Sequence, residues 1–318
     1  MSNIIIGGGG FIGRHIATEL IRRGDEVIVY DISDGFTPER NARISFIRSD
    51  ILDKAQLKKI LKDVNNIYHL AGLLGTAELF GNPQNAIEVN MIGLINVLEI
   101  IAKQQNAKLF YPSSPYIWRN IYSLTKHAGE ELCLAYNRAY GVDTRILRLW
   151  NIYGPYQQMY PIRKVVPVFI LQALAGLPLE IYGNGNQVVQ LTYVEDAARI
   201  IVDFMKLSGH FSNPFDLGSA VSTVTTVKAL ARTIISCCNS KSQLVFLQKR
   251  FGEFDEMEPY PLQNILELLP RYTFTALNDG LSRTIDFYKG ISKKERSRVI
   301  GGLKDVKHDS KSSNEIMW

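Results

Sequence analysis

Apolar positions along this chain alternate between two textures. Short, nearly continuous apolar or β-branched runs occur at Ile4–Ile6, Glu26–Tyr30, Arg43–Ile47, Asn66–Leu70, Lys108–Tyr111 and Thr144–Leu149. Runs of that length and composition predict strands buried on both faces. Between them, Lys54–Leu61, Gln84–Lys103 and Tyr122–Tyr140 carry helical periodicity, and a further helix is expected from about Phe11. Asp53 is a natural N-cap, and Gly24 and Gly141 are placed to close helices at their C-termini. Strands separated by helices predict an α/β fold, a doubly wound parallel sheet with both faces covered.

After Asn151 the texture changes to short segments rich in Pro, Gly and Tyr, with helix-like stretches at Val194–Leu207 and Val224–Cys237. Residues 1–150 are expected to form the first domain, and 191–218 to rejoin it. Residues 151–190 and 219–290 would build a smaller, loop-rich C-terminal lobe that binds substrate over the C-terminal edge of the sheet, where ligands of such folds sit. The polar segment 291–318 is expected to be a charged, mobile tail.

The first strand runs straight into Gly7-Gly8-Gly9-Gly10-Phe11-Ile12-Gly13. Glycines there let the backbone turn sharply and approach a pyrophosphate, which the amides and dipole of the following helix can hold. The run fits both GxGxxG (Gly8, Gly10, Gly13) and GxxGxxG (Gly7, Gly10, Gly13). The second strand ends in Asp31, about 20 residues on, where a carboxylate can accept hydrogen bonds from a ribose 2′-hydroxyl and would repel a 2′-phosphate. A Rossmann-type unit that binds NAD in preference to NADP is the expectation, with Arg40 and Arg43 close enough in sequence to compete with it.

Composition narrows the remaining classes. The 318 residues carry a formal charge of +5, much of it in Lys293, Lys294, Arg296, Arg298, Lys304, Lys307 and Lys311 of the tail. No basic stripe with interleaved aromatics points to nucleic acid. Cys133, Cys237 and Cys238 have no metal-ligand spacing, so no metal is expected, and a reducing cytoplasm fits them. A strand that begins by residue 3 leaves no room for a signal peptide, and the longest apolar stretches, such as Val165–Leu174, are too short for a membrane span.

Tyr122-Ser-Leu-Thr-Lys126 brings in the chemistry. Residues four apart share a helix face, so phenol and ammonium point the same way. A free tyrosine is a poor base near pH 7, and the reading is that the lysine cation, helped by a positive nicotinamide ring, favours the phenolate. The motif follows a strand that ends at Ser113-Ser114.

With these motifs in place, the chain resembles the extended short-chain dehydrogenase/reductases, within the NAD-dependent epimerase/dehydratase group that acts on nucleotide sugars. The resemblance runs from about Ile4 to Tyr288. It is carried by the glycine turn, Asp31, Asp50-Ile51, His69-Leu-Ala-Gly72, Asn90 in Val-Asn-Met-Ile-Gly and Ser113-Ser114. It continues through Tyr122/Lys126, Arg148-Leu-Trp-Asn-Ile-Tyr-Gly-Pro155, Tyr182-Gly-Asn-Gly, Tyr193-Val-Glu-Asp196 and Gly280–Tyr288. The resemblance implies that Tyr122, Lys126 and Ser114 are catalytic. Gly7, Gly10, Phe11, Ile12, Gly13 and Asp31 would bind the cofactor, with Asp50 and Ile51 at the adenine and Leu70, Ala71 and Gly72 along the dinucleotide. Asn90 would anchor the loop near the cofactor, and Ser113, Leu149 and Trp150 would flank the nicotinamide, whose ribose Lys126 would also hold. Ser114, Asn151 and Arg250 would bind a nucleotide-diphosphate sugar, and the helices at Gln84–Lys103 and Tyr122–Tyr140 would form a homodimer. His69 reads as core.

Three departures from that pattern stand out. Only seven residues separate Ser114 from Tyr122, where relatives carry a much longer stretch that contacts the sugar. Pro-Tyr-Ile-Trp follows Ser114 where dehydratases place an Asp-Glu pair, which argues against 4,6-dehydration. Val189 replaces an arginine for the diphosphate, a loss of roughly 1.5–3 kcal/mol in binding unless compensated. The expected function is an NAD-dependent nucleotide-sugar epimerase acting at C4. The alternatives are a 4-keto-deoxysugar-nucleotide reductase using NAD(P)H and a non-catalytic dinucleotide-binding protein.

Overall fold

A computed structural model describes residues 2–33, 43–75, 78–104, 106–115, 120–159, 162–218, 224–248 and 264–292, with 296, 300 and 301. Arg40, Arg250 and the tail cations other than Arg296 lie outside the described residues. In chain order the first elements are β1 (Ser2–Ile6), α1 (Phe11–Arg22), β2 (Glu26–Asp31), β3 (Ile44–Arg48), α2 (Lys54–Leu61), β4 (Asn66–His69), α3 (Pro83–Ile87) and α4 (Gly93–Ile101). They continue with β5 (Lys108–Ser113), α5 (Ile121–Tyr140), β6 (Asp143–Leu149), β7 (Asn151–Tyr153), α6 (Val165–Leu174), β8 (Leu179–Tyr182), β9 (Val188–Tyr193) and α7 (Val194–Lys206). Last come β10 (Phe215–Leu217), β11 (Val224–Thr226), α8 (Val227–Cys237), β12 (Leu244–Leu247) and α9 (Leu277–Gly290).

Seven strands form one sheet in the order β10-β6-β5-β4-β1-β2-β3, every pair parallel. The fold is a Rossmann-type doubly wound sheet. Ile4, Ile5 and Ile6 are all fully buried because helices cover both faces, which is why their run shows no alternation. On one face α1 and α7 pack Ile16, Ala17 and Leu20 against Ala197, Ile201 and Phe204. On the other, α2, α4 and α5 bury Leu57, Leu94, Leu98 and Cys133 against Ile4, Ile67 and Tyr111. A third cluster surrounds α6, α8 and α9 with β8 and β9. β10 pairs with β6, so the chain returns to the first sheet after β9 and α7.

Local signals set most helix ends. The Asp53 side chain accepts from Gln56 N, and α5 closes at Gly141 in the left-handed conformation, φ +68°. Two expected helices differ from the pattern. The Gln84–Lys103 stretch is interrupted by a π-helical turn at Glu88–Ile92 between α3 and α4. Gly93 follows that turn, and a Cβ there would lie 2.9 Å from Ile51 Cγ2, so α4 approaches the turn after β3 more closely than a side chain permits. The Val224–Cys237 stretch begins instead as a strand, β11 beside β9, because Val-Thr-Thr is β-branched throughout. Thr226 then caps α8 by accepting from Ala229 N.

Candidate active site

The C-terminal ends of β1, β4, β5 and β6 open on one edge of the sheet. Ile6 pairs with both Tyr30 and His69, and Ser113 with Arg148. Gly7 turns at φ +82°, and a Cβ there would sit 2.7 Å from Ala71 Cα, as one on Gly13 would from Gly8 Cα. Leu70 and Ala71 both donate to Ile6 O, at 2.7 and 2.8 Å. The glycines therefore draw the β1 turn onto the loop after β4 and against its own helix. α1 starts at Gly10 with no side-chain cap and no acidic residue in its first turn. Arg14 N to Gly10 O, 3.2 Å, closes the first turn, so the amides of Phe11, Ile12 and Gly13 precede the helix's own acceptors. An uncapped, positive helix end beside a side-chain-free turn fits a dinucleotide pyrophosphate.

Asp31 stands beside that turn. Its Oδ2 accepts from Gly9 N at 2.8 Å, and its Oδ1 from Ser33 N and Oγ at 2.9 and 2.8 Å. Arg14, which sequence reasoning passed over, donates from Nε to Gly9 O at 2.8 Å and covers the Tyr156 ring at 5.1 Å. Asp50 begins a turn, with Oδ1 accepting from Leu52 N at 2.9 Å. The side chain of Ile51 is core beneath Gly93, and its carbonyl accepts from Asn96 Nδ2 at 3.4 Å. Asn90, in the π turn, pins the β4 loop: Oδ1 accepts from Leu73 N at 2.7 Å and Nδ2 donates to Leu73 O at 3.1 Å. Nδ2 also donates to Thr125 Oγ1 at 3.0 Å, and Thr125 in turn donates to Tyr122 O at 2.9 Å. Gly72 lies against the same amide, 3.1 Å from a Cβ there to Asn90 Oδ1.

Asn120 caps α5 through Ser123 N at 2.8 Å, and Tyr122 and Lys126 follow one turn apart. β5 grips the helix at Lys126, whose carbonyl accepts from Tyr111 Oη at 3.2 Å and Ser113 Oγ at 3.5 Å. Ser114 is buried at the strand end. Leu149 closes β6, buried Trp150 donates from its backbone N to Leu217 O at 3.3 Å, and Asn151 opens β7. Arg148 donates from Nε and Nη2 to Glu130 at 3.1 and 2.6 Å, a buried pair that ties α5 to β6.

The electrostatics bear directly on the Tyr122/Lys126 pair. Burial pushes the Tyr122 phenol up to about 12 and the Lys126 ammonium down to about 8. Lys126 Nζ lies 4.7 Å over the Tyr111 ring. Burial thus favours the neutral phenol, and the expected phenolate leans on the lysine and nicotinamide charges together. His69 is core as read: it is 1% exposed, burial and then the Lys126 charge hold it down to about 3, and neither ring nitrogen has a partner. Among the described residues no cluster could hold a metal ion, and no helix is long and apolar enough to cross a membrane.

The sequence model of the NAD dependent epimerase/dehydratase family matches residues 3–213. The chain belongs to this family. It is therefore a member of the extended short-chain dehydrogenase/reductases, a family of NAD-dependent enzymes. Among its relatives, UDP-glucuronic acid decarboxylase 1 of Xenopus tropicalis is 29% identical over 310 residues, 90% of this chain and 72% of that protein. The UDP-glucose 4-epimerase of Thermotoga maritima, solved with UDP-glucose, superposes with a TM-score of 0.82 at 25% identity, over 91% of this chain and 99% of that one. The UDP-glucuronic acid 4-epimerase of Bacillus cereus, solved with UDP-glucuronic acid and NAD, gives 0.80 at 25% identity over 91% and 99%. The family spans epimerases, decarboxylases and dehydratases, so membership leaves the reaction open.

Proposed function

We propose that the chain is a nucleotide-sugar epimerase acting at C4 of a nucleotide-diphosphate sugar. The observation that carries this reading is the α5 helix, which bears Tyr122 and Lys126 one turn apart and whose Lys126 carbonyl accepts from Ser113 at the end of β5, at the sheet edge that also carries the glycine turn. The cofactor would rest on Gly7, Gly10, Phe11, Ile12 and Gly13, with Asp31 on the adenosine ribose. Asp50 and Ile51 would meet the adenine. Leu70, Ala71, Gly72 and Asn90 would form one wall, and Ser113, Leu149 and Trp150 would enclose the nicotinamide. When bound, NAD supplies reversible hydride acceptance from a sugar carbon and a positive ring beside the phenol.

The residues of the chain do the proton work. Ser114 holds the C4 oxygen, and Tyr122 takes its proton as the carbon is oxidised, then returns one when the ketone is reduced on the other face. Lys126 holds the ribose and keeps its charge one turn from the phenol. Burial raises the Tyr122 phenol, so the lysine charge and the positive ring together favour its deprotonation. Asn151 and Arg250 would bind the diphosphate. The segments 151–190 and 219–290 would supply the rest of the sugar-nucleotide pocket. Val189, which pairs with Thr225 and packs on the third core, offers no charge there.

A second reading is decarboxylation, favoured by the decarboxylases among the relatives. Both reactions share oxidation at C4. With a C6 carboxylate the resulting ketone is a β-keto acid, which either loses carbon dioxide or is reduced again at C4, so the enzyme's handling of that ketone decides the outcome. Purified protein should carry NAD by mass spectrometry and, with none added, interconvert C4 epimers in a panel of UDP-, GDP- and dTDP-sugars. Release of carbon dioxide from UDP-glucuronic acid instead would select the second reading, and stoichiometric consumption of NAD(P)H would select a reductase. Exposed Ile87 and Ile92, 46% each, and Leu124, 64%, on or beside α3 and α5, support a homodimer through these helices. The unpaired cysteines suit a cytoplasmic enzyme.

A further inference from the structure

We propose that Tyr111 is the positioning residue of Lys126: its ring face is the counter-group of the buried ammonium, and its hydroxyl holds the Lys126 carbonyl. The inference deepens the reading above, since it concerns the lysine that reading places beside Tyr122.

A desolvated ammonium needs a partner. Lys126 is only 8% exposed, yet among the described residues no carboxylate pairs with it. Glu130, one turn along the same helix, is the nearest candidate in sequence and is engaged by Arg148 through two hydrogen bonds. What meets the ammonium is the π face of Tyr111, 4.7 Å from Nζ to the ring centroid, within the range of a cation–π contact. The same residue fixes the backbone of Lys126 by donating to its carbonyl at 3.2 Å. Gly129 makes the approach possible, because a Cβ there would run into the Tyr111 hydroxyl.

Among the described residues, the other groups around Lys126 bring no negative charge. From β4, His69 lies 5.9 Å from the Tyr111 ring and is neutral. From β5, Ser113 reaches the Lys126 carbonyl. From the π turn, neutral Asn90 reaches the helix at Thr125. On α5 itself, Tyr122 and Cys133 are held protonated by burial, and the Glu130 charge is matched by Arg148. A ring differs from a carboxylate in one functional respect. It stabilises the ammonium without cancelling its charge, so the site keeps a net positive field for the phenolate that Tyr122 must become.

The test titrates Lys126 directly, by carbon-13 NMR of lysine-labelled protein, with Lys126→Arg assigning the resonance. Tyr111→Phe keeps the ring, and a ring-fluorinated phenylalanine at 111 keeps the shape while draining the π face. The Lys126 pKa should hold in Tyr111→Phe and fall by roughly 0.5–1.5 units as fluorine is added. A pKa indifferent to fluorination would overturn the proposal, and so would an equal fall in the plain phenylalanine variant, which would assign the effect to the hydroxyl. No substrate is involved, so the result is separate from the catalytic reading, which fails instead if Tyr122→Phe keeps its turnover.

Discussion

Glu130→Ala is the sharpest probe of how the catalytic helix is held. Glu130 accepts from Arg148 at 2.6 and 3.1 Å, and the two side chains are only 4% and 10% exposed. Alanine at 130 leaves a guanidinium buried between α5 and β6 without its carboxylate, a cost of about 3–5 kcal/mol. With a urea slope of about 3 kcal/mol/M, the unfolding midpoint should fall by roughly 1–1.7 M. Removing both charges in Glu130→Leu/Arg148→Met should recover most of that loss, because apolar side chains of similar volume replace buried ion pairs at little cost. Glu130→Leu, Arg148→Met and the double variant form a cycle, read by circular dichroism in urea, whose coupling should exceed about 1.5 kcal/mol. A Glu130→Ala loss below about 1 kcal/mol would mean that water reaches the pair. Additive single losses in the double variant would mean that the two residues do not depend on each other. Either result refutes the picture of a dry clamp between α5 and β6.

Other outcomes follow from the same site. Tyr122→Phe should lower turnover by about 10²–10⁴-fold while NAD is still retained through purification, and an unchanged rate would remove Tyr122 from the mechanism. Activity should fall as pH rises through about 8, where Lys126 loses its proton; a rate that stays flat to pH 10 contradicts a role for the charged form. The folded-state pKa of this lysine lies below its unfolded value, so the unfolded chain binds more protons between about pH 8 and 10.5. Stability should therefore carry a penalty at neutral pH that is relieved as pH rises through that window, visible as a local upward slope in urea stability. Asp31→Ala should weaken NAD binding by roughly 10–100-fold, measured by calorimetry, through loss of a charge-assisted ribose contact and release of Gly9; unaltered affinity would place the ribose elsewhere.

The parts of the site legible in the sequence are those that local chemistry decides. Four glycines before a helix, a carboxylate at the end of the next strand, and tyrosine and lysine one turn apart each constrain only their own neighbourhood, and each lies where that chemistry puts it. Asp53 and Gly141 end helices for the same reason. What escaped the sequence depends on residues far apart along the chain. The π turn at Glu88–Ile92 has no local mark in the sequence, and it directly precedes Gly93, which packs on Ile51 forty-two positions earlier. Tyr111 reads as one more apolar strand residue, although its hydroxyl and ring face address Lys126, fifteen positions later, across a strand–helix contact that only the fold creates.

The state of the Tyr122 phenol shows the same limit in energetic form. Spacing places an ammonium beside it and suggests a lowered pKa, but the sign depends on how dry the site is. A lysine that rests on an aromatic ring keeps its charge, while burial raises the phenol. The proposed competence of the base therefore rests on the lysine charge and the cofactor's positive ring together. That joint dependence makes a measurable demand. The Tyr122 phenol should titrate near 12 in protein stripped of dinucleotide and at least a unit lower with NAD bound, read by tyrosinate absorbance against Tyr122→Phe. If stripped protein already shows a Tyr122 pKa below 10, the lysine does act alone and the burial argument is wrong.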